Sequence, residues 1–331
     1  MSLAVVVPAH NAADHLGVCL DALIADGFDP PAIVVVDDGS TDATGDIARG
    51  RGVTLCETPQ GPVGPAAARN LGVSATRTDL VLFVDADVAV APGTRAKLQA
   101  IFAQPAPPDA VFGSYDAAPA APRLVSRYRN LLHHHTHQMA DPHASTFWTG
   151  LGAVTRGAFD RAGGFDPARR YLEDVAFGRT IIQAGGQITL VPDMQGKHLK
   201  DWTLGSMFWT DWKGRAVPWA RMQARGEIDR PALTSSRLHR ANAALVWSGL
   251  AAGLAAPFTP LGLWGFIGAV MCFVAANLEL FRLLFRQGGP GLAAASVGYH
   301  ALHYIAATFG LIEVLIARRI ADHDGRKSDW T

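Results

Sequence analysis

Two carboxylates follow a short apolar segment of the chain and are spaced two residues apart. Residues 80–84 read Leu-Val-Leu-Phe-Val and are followed directly by Asp85, Ala86 and Asp87. A short apolar run with polar neighbours predicts a buried strand, and open α/β sheets bind their ligands at the carboxyl ends of strands. Hard oxygen ligands suit Mg²⁺ or Mn²⁺, and such an ion suits a diphosphate. The segment therefore predicts an enzyme that uses a divalent cation to hold, and help expel, a nucleotide diphosphate.

A second group of polar residues ends the first two apolar segments. The first segment ends at Pro8 and Ala9, and the second ends at Asp37 and Asp38. Neighbouring parallel strands end at the same edge of a sheet, so these residues would line one crevice, where a carboxylate can accept hydrogen bonds from a base or a ribose. Turn and helix-cap chemistry is an equally good interpretation of the two aspartates. Arg69, on a helix that opens after a Gly/Pro loop, can reach a phosphate.

Predicted strands alternate with predicted helices along the first hundred residues, and these elements would position the polar residues named above. This alternation predicts an α/β domain with a mainly parallel sheet and right-handed crossovers. The predicted strands are residues 3–7, 32–36, 53–56 and 80–84, and the predicted helices are residues 14–25, 43–51 and 65–76. Further strands are expected at 110–113, 148–155 and 187–191, and further helices at 123–139 and 173–184.

The character of the chain changes after about residue 200. The whole sequence has zero formal net charge, so it lacks the basic signature of a nucleic-acid-binding protein. It is 49% hydrophobic and only 18% charged, and residues 241–278 contain no Asp, Glu, Lys or Arg. A spanning helix needs about 20 residues. We therefore expect a transmembrane region over 237–318 with two to three helices, followed by a polar tail at 319–331.

An interfacial region is expected between the two parts, over residues 203–236. Trp209, Trp212 and Trp219 fall on one helical face, with arginines on the other side. Such a distribution is typical of a helix that lies in a membrane interface, and Pro218 would kink it. The alternative is an ordinary amphipathic helix packed against the rest of the protein.

Six segments in order resemble the family 2 glycosyltransferases, which have the GT-A fold. The resemblance covers roughly residues 3–200 and implies a GT-A domain over 1–202, followed by the interfacial helix and the transmembrane helices. The segments are VVPAHN, VVVDDGSTD, GPAAARNLG, LVLFVDADV, GLGAVTRGAFDRAGGFD and YLEDVAFGRTIIQAGG.

The resemblance implies roles for the donor-binding residues. Asp37 or Asp38 would contact the base and ribose. Asp85 and Asp87 form the family's DxD motif, in which Asp87 ligates the metal and Asp85 contacts ribose or metal. His198 stands where related enzymes often carry a metal-binding histidine; a hydrogen-bonded surface histidine is the alternative. The cofactor implied is Mg²⁺ or Mn²⁺, and the donor is a nucleotide diphosphate sugar.

The acceptor side is implied by two other motifs. Glu173 and Asp174 match the family's ED motif, which makes Asp174 the general base and places Glu173 beside the donor. A carboxylate that merely stabilises a helix N-terminus is the alternative for Asp174. Trp148, with Gly150 two residues later, matches the segment that borders the sugar and acceptor.

Taken together, the motifs imply an inverting, metal-dependent hexosyltransferase acting on a membrane-associated acceptor, which we expect to be a lipid. It would lie in the inner (plasma) membrane as a multi-pass protein with a cytoplasmic catalytic domain, and it would not bind nucleic acid. The chain lacks the Gln-x-x-Arg-Trp motif of processive synthases. A glycan-extending transferase and a catalytically silent membrane scaffold remain alternatives.

Overall fold

A computed structural model describes residues 1–59, 61–228 and 236–323, and within these ranges the chain forms nine strands and twelve α-helices. The chain divides into two compact units. The first comprises residues 1–121 and 136–200, and the second comprises residues 122–135 and everything from residue 201. This division differs from the predicted domain 1–202, because residues 122–135 group with the C-terminal part of the chain.

All nine strands belong to one sheet in the first unit. Its order is β3-β2-β1-β4-β8-β6-β9-β5, with β7 paired to β9. The pairs among β3, β2, β1 and β4 are parallel, and β8 runs antiparallel between β4 and β6. The strands are β1 (Leu3–Ala9), β2 (Ile33–Asp37), β3 (Thr54–Glu57), β4 (Leu80–Val84), β5 (Val88–Val90), β6 (Ala110–Tyr115), β7 (His143–Ala144), β8 (Leu151–Thr155) and β9 (Ile188–His198).

The sheet is buried on both faces, which explains its continuous apolar strands. All five residues of β4 are buried. Because side chains alternate along a strand, Leu82 joins one apolar cluster while Phe83 joins the other on the opposite face. The predicted apolar run at 80–84 therefore forms a central strand of the sheet.

Helices cover both faces of this sheet. The helices of the first unit are α1 (Ala13–Ala25), α2 (Thr44–Gly50), α3 (Pro65–Ser74), α4 (Thr94–Phe102), α6 (Arg156–Ala162) and α7 (Glu173–Gln183). The sequence predicted α1, α2, α3 and α7 to within two residues at each end. It missed α4, α6 and the short strands β5 and β7, and it ended β9 seven residues too early.

Every secondary-structure element in the described part of the second unit is a helix. Its elements are the N-terminal part of α5 (Leu124–Gln138), then α8 (Leu204–Trp209), α9 (Val217–Ala224), α10 (Ser236–Ala255), α11 (Pro260–Ala276) and α12 (Leu278–His323). α12 is interrupted at Gly289, which has φ 72° and ψ −174° and is followed by Pro290. Proline cannot donate to the preceding turn, so the helix kinks there.

The predicted interfacial helix is continuous but irregular. Residues Thr210–Ala216 form a π-helical turn between α8 and α9, and Pro218 lies in the first turn of α9. The wider turn directly precedes the segment with Pro218, which has no N–H to donate, and the kink at this proline stays a prediction. Trp209 is exposed, but the ring of Trp212 packs 5.7 Å from that of Phe309 in α12. One tryptophan therefore faces outward while another packs within the unit.

A buried ion pair ties three elements of the second unit together. Nη2 of Arg129 in α5 lies 2.6 Å from Oδ1 of Asp211, and Nδ1 of His303 in α12 lies 3.0 Å from Oδ2 of the same carboxylate. Arg129 and Asp211 are both buried. Burial raises the pKa of Asp211, but the cationic neighbours outweigh burial and leave it well below its ordinary value.

One described helix is long and apolar enough to cross a membrane by length and composition, namely residues Leu278–Ala321. The apolar helix α11 is shorter, at 17 residues. Membrane association thus rests on α12, and the predicted second and third spans are not established. Residues 229–235 of the predicted interfacial region, and residues 324–331 of the predicted polar tail, lie outside the described residues.

Candidate active site

The DxD segment lies between a parallel strand and a short antiparallel one. Asp85 follows β4 directly, and its N–H donates to the carbonyl of Gly150. After Asp87 the chain enters β5, which pairs with β9 so that Val88 lies opposite His198. The N–H of Leu199 donates to the carbonyl of Asp87 at 2.8 Å. The pairing of β5 with β9 thus brings Asp87 close to His198, although the two residues are far apart in the sequence.

Asp87 and His198 form a close pair. Nε2 of His198 lies 3.5 Å from Oδ2 of Asp87, and the imidazole is buried while the carboxylate is one quarter exposed. Burial raises the pKa of Asp87, but the hydrogen bond and charge of His198, with Lys200 and His15, outweigh it, so the net shift is downward. The carboxylate is therefore ionised at neutral pH. Two ligand atoms at about 2.1 Å from one ion and at a right angle lie about 3.0 Å apart, so the pair fits a shared cation with a small adjustment.

Arg69 joins the DxD strand end to the start of α7. Its Nη2 donates to Oδ1 of Asp85 at 2.8 Å, and its Nη1 donates to Oε1 of Glu173 at 2.7 Å. The arginine is only 4% exposed. Burial opposes its charge, but the carboxylates of Asp85, Glu173 and Asp174 outweigh burial and raise the pKa of the guanidinium. Arg69 thus binds two carboxylates, and its contact with a phosphate stays a prediction.

This pairing bears on the predicted set of metal ligands. Asp87 and His198 are brought together, but the Asp85 carboxylate accepts a hydrogen bond from Arg69. Across residues 1–59, 61–228 and 236–323, no group of three or more His, Cys, Asp or Glu side chains is arranged to hold a metal ion. Two candidate ligands, Asp87 and His198, therefore lie together, whereas the carboxylate of the third, Asp85, binds Arg69.

Asp174 lies in the first turn of α7, next to the carboxylate that binds Arg69. Its Oδ1 accepts a hydrogen bond from the N–H of Val175 at 2.8 Å. The preceding Leu172 has φ 55°, a left-handed conformation that is uncommon for leucine. Burial and the negative charge of Glu173 raise the pKa of Asp174 to about 7, against the opposing effect of Arg69. A carboxylate stabilised only by a helix N-terminus would have a lowered pKa, so burial and like charge dominate here.

The predicted nucleotide-contacting residues lie at the carboxyl ends of the neighbouring strands β1 and β2. Ala9 pairs with Asp37 in the parallel ladder, and Pro8 precedes it. Asp37 accepts a hydrogen bond from the N–H of Ser40 at 2.9 Å. Asp38 accepts from the N–H groups of Val63 and Gly64, at 2.7 and 2.8 Å. Both aspartates are buried and brace the neighbouring loops, which is the turn chemistry that the sequence left open.

The segment before β8 is packed closely. A Cβ added at Gly150 would lie 2.2 Å from Cζ2 of Trp148, so only glycine fits beneath this indole. Trp148 meets the ring of Tyr115 edge-on, with centroids 4.9 Å apart. The glycine at 150 thus fixes both the indole and, through its carbonyl, the backbone of Asp85.

Residues 4–163 match the family model described as Glycosyl transferase family 2. This chain carries a family 2 glycosyltransferase domain. The match confirms the predicted family for this segment, and it agrees with the predicted enzyme class, glycosyltransferase. The matched segment contains the first strands, the DxD motif and the Trp148–Gly150 segment, and it ends before the ED motif at Glu173.

Two curated bacterial proteins are similar to the glycosyltransferase domain. The chain is 29% identical over 244 residues to the pre-mycofactocin glycosyltransferase of Mycobacterium tuberculosis, which covers 65% of this chain and 47% of that protein. It is 38% identical over 88 residues to the glycosyltransferase GlyA of Streptococcus pneumoniae, which covers 26% of this chain and 13% of that one. The chain therefore spans less than half the length of either relative.

A solved structure shares the fold of the glycosyltransferase. The mannosyltransferase PcManGT from Pyrobaculum calidifontis, solved in complex with GDP-Man and Mn²⁺, superposes with a TM-score of 0.54 at 20% identity. The match covers 97% of this chain and 86% of that one. At this identity the likeness shows the fold alone, and it confirms the predicted GT-A class.

Sequence reasoning missed two residues beside the candidate metal pair of the glycosyltransferase. Tyr115, the last residue of β6, stacks on the His198 imidazole, and Gly196 lies beside Tyr115 in the sheet. A signal was present, because a glycine two residues before a candidate ligand indicates close approach of another group. Without the strand pairing, the identity of that group could not be read from the sequence.

Proposed function

We propose that this protein transfers a hexosyl group from a nucleotide diphosphate sugar to a membrane-associated acceptor, with inversion at the anomeric carbon. One observation carries the proposal. Arg69 binds Asp85 at 2.8 Å and Glu173 at 2.7 Å, so the DxD strand end and the ED helix form one site. The buried guanidinium of Arg69 thus links the residues that we propose for the departing diphosphate to those that we propose for the incoming acceptor.

A divalent cation, Mg²⁺ or Mn²⁺, would be held by Asp87 and His198, with Asp85 contributing to the metal or to the ribose. Bound there, the ion supplies Lewis-acid stabilisation of the leaving diphosphate. The ionised carboxylate of Asp87 and the imidazole 3.5 Å away support the assignment. The presence of Mn²⁺ with GDP-Man in the PcManGT structure supports the same choice of ions.

Asp174 would act as the general base. A base works best when its pKa lies near the working pH, because it is then both ionised and able to hold a proton. The pKa of about 7 at Asp174 meets this condition. As the acceptor oxygen attacks the anomeric carbon, its proton passes to the Asp174 carboxylate and the bond to the diphosphate breaks. One displacement of this kind inverts the carbon.

The nucleotide would lie in the crevice at the ends of β1 and β2. Pro8 and Ala9 would form one wall, and the buried carboxylates of Asp37 and Asp38 would accept hydrogen bonds from base and ribose. Each carboxylate oxygen has more than one lone pair, so the loop-bracing bonds leave capacity for a ligand. The backbone bond from Asp38 N–H to the Ala9 carbonyl, at 2.8 Å, holds the two walls in register.

The acceptor would be a lipid or a lipid-linked molecule in the membrane that the C-terminal helices enter. Exposed apolar side chains cover α11, among them Leu261, Trp264 and Met271 at 83%, 68% and 66% exposure. A helix that is apolar on all sides is suited to a membrane. We infer that α10, α11 and α12 lie in the inner (plasma) membrane as two to three spans, that residues 203–236 lie at its surface, and that the catalytic domain is cytoplasmic.

A donor screen tests the proposed function. Purified full-length protein in detergent is incubated with UDP- and GDP-linked hexoses, and release of the nucleoside diphosphate is measured with Mn²⁺, Mg²⁺ or EDTA. We expect at least one donor to be hydrolysed in a cation-dependent manner. Mass spectrometry of a lipid extract treated with that donor should show a single added hexose, whereas a ladder of products would indicate a glycan-extending enzyme. Absence of turnover with every donor and cation would support the silent scaffold instead.

A further inference from the structure

The imidazole of His198 lies flat against the ring of Tyr115. Their centroids are 4.3 Å apart and their planes differ by 14°. Both residues are buried, at 8% exposure for Tyr115 and 7% for His198. Trp148 meets Tyr115 edge-on at 88°, so the tyrosine ring is itself held from a second side. The imidazole therefore faces a rigid aromatic surface on one side.

Strand pairing explains why these two rings can meet. Tyr115 lies opposite Gly196 in the parallel β6–β9 pair, and His198 follows Gly196 by two residues on the same face of β9. Because Gly196 has no side chain, the Tyr115 ring can lean along the sheet to reach the imidazole. A Cβ at position 196 would lie 2.6 Å from Cγ1 of Val88, so the strand on the other side also requires glycine there.

The register of β9 is adjusted to produce this arrangement. Phe112 pairs with Leu190, but Ser114 pairs with Gln195, so β9 carries extra residues in a bulge between these two pairs. A bulge re-aims the side chains that follow it. Gly113 lies against the bulge, where an added Cβ would be only 2.0 Å from the carbonyl oxygen of Met194. The end of β9 is thus turned so that His198 lies between β5 and the Tyr115 ring.

We infer that Tyr115 is a positioning residue for the divalent cation. Its ring restricts rotation of the His198 imidazole and keeps Nε2 directed at the Asp87 carboxylate, 3.5 Å away. The backbone of Asp87 is already fixed by the bond from the Leu199 N–H, so the imidazole is the group whose orientation the ring controls. The face of an aromatic ring also attracts positive charge, which favours an imidazole that shares a cation. This inference rests on the metal site of the proposed function.

The test measures Mn²⁺ affinity directly. Purified full-length protein in detergent is titrated with Mn²⁺ as the sole added ligand, and binding is followed by water-proton relaxation. Removing the ring in Tyr115→Leu should weaken Mn²⁺ binding about tenfold, the scale for groups that orient a metal ligand. Tyr115→Phe, which keeps the ring and loses the hydroxyl, should bind Mn²⁺ within twofold of the wild-type protein.

A matched control separates positioning from general destabilisation. Phe112 lies on the same strand and is fully buried, but it packs in the cluster on the opposite face of the sheet. Phe112→Leu should lower the thermal unfolding temperature yet leave Mn²⁺ affinity unchanged. If Tyr115→Leu does not fold, Tyr115→Met, which is closer in volume, takes its place in the titration.

The outcomes distinguish the two levels of inference. If Asp87→Ala binds Mn²⁺ as well as the wild-type protein does, the metal site itself is wrong and the proposed function loses its cation. If Asp87→Ala weakens binding while the folded Tyr115 variant without a ring binds normally, the metal site stands and the positioning role of Tyr115 is wrong. Equal weakening in Tyr115→Phe and Tyr115→Leu would also overturn the role, because the hydroxyl rather than the ring would then be responsible.

Discussion

Replacing Asp174 by asparagine is the sharpest test of the acceptor side of the site. Asparagine keeps the shape and the acceptor oxygen for the Val175 N–H but cannot take up a proton. Losing a positioned general base lowers turnover by roughly 10²–10⁴-fold. The pKa of about 7 adds a second expectation for the wild-type enzyme. About one tenth of the base is ionised at pH 6 and about nine tenths at pH 8, so turnover should rise about tenfold between them.

The assay is single-turnover transfer to a hydroxyl acceptor from pH 6 to 8, with nucleotide affinity measured alongside. Asp174→Asn should lose both the rate and its rise with pH while binding nucleotide normally. Asp160→Asn, at an exposed position near the end of α6, is the control and should keep both. Wild-type turnover in Asp174→Asn would refute the base assignment. A flat wild-type profile over this range would refute the raised pKa.

The raised pKa of Asp174 also predicts that the protein becomes less stable as pH rises, whereas its turnover increases. The folded-state pKa of Asp174 lies above its ordinary value of 3.8, so the native state binds more protons than the unfolded state between about pH 4 and 7. Stability should therefore fall as pH rises through this window, by roughly 4 kcal/mol at pH 8. Asp174→Asn should remove this part of the slope. Chemical denaturation of both proteins at pH 5 and pH 8 measures the part of this loss that falls between those values, roughly 3 kcal/mol.

Three further outcomes are expected. Arg69→Met leaves the carboxylates of Asp85 and Glu173 without their cation and should lower the stability of the protein by about 3 kcal/mol, because an uncompensated buried charge is costly. Arg69→Lys cannot bind both carboxylates, so thermal unfolding should show that it restores only part of the lost stability. Gly150→Ala places a methyl group within 2.2 Å of the Trp148 ring, and it should lower the stability by about 1–3 kcal/mol and also lower turnover. The control is Gly157→Ala, whose methyl group meets only a flexible guanidinium at 3.4 Å, and it should leave stability and turnover nearly unchanged. Full-length protein should sediment with membranes after lysis and enter solution only with detergent, and its recovery in the soluble fraction without detergent would contradict the membrane assignment.

The fold could be predicted wherever the sequence pattern is local. The apolar run at 80–84 forms β4 at the predicted bounds because burial on both faces requires continuous apolar residues. β5 has only three residues, Val88–Val90, and exists because it pairs with β9. Such a segment has no periodicity of its own, so its strand is visible only after the partner is known. The same dependence explains why β9 was predicted to end at residue 191 and continues to His198.

The candidate site shows the same limit. The motifs identified Asp87, Asp174 and His198 as a set, but not which side chains would meet. Arg69 was assigned to a phosphate because it follows a Gly/Pro loop, whereas its partner Glu173 lies 104 residues away in the sequence. The stack of Tyr115 on His198 depends on a bulge and a glycine in β9. Long-range pairing of this kind leaves no spacing signal in a single sequence.

The assignment of residues 122–135 to the second unit has a consequence for how the chain is made. This stretch of α5 is synthesised before the 65 residues at 136–200, which return to the first unit, and its helical partners follow only after residue 201. Tyr128 and Leu131, fully buried in the finished protein, therefore leave the ribosome well before the helices that cover them. Because translation adds about 5–20 residues per second, these two side chains stay exposed for several seconds before their helical partners are synthesised. During that interval it is a natural target for a chaperone, and slowing translation between residues 136 and 200 should increase aggregation of the nascent chain.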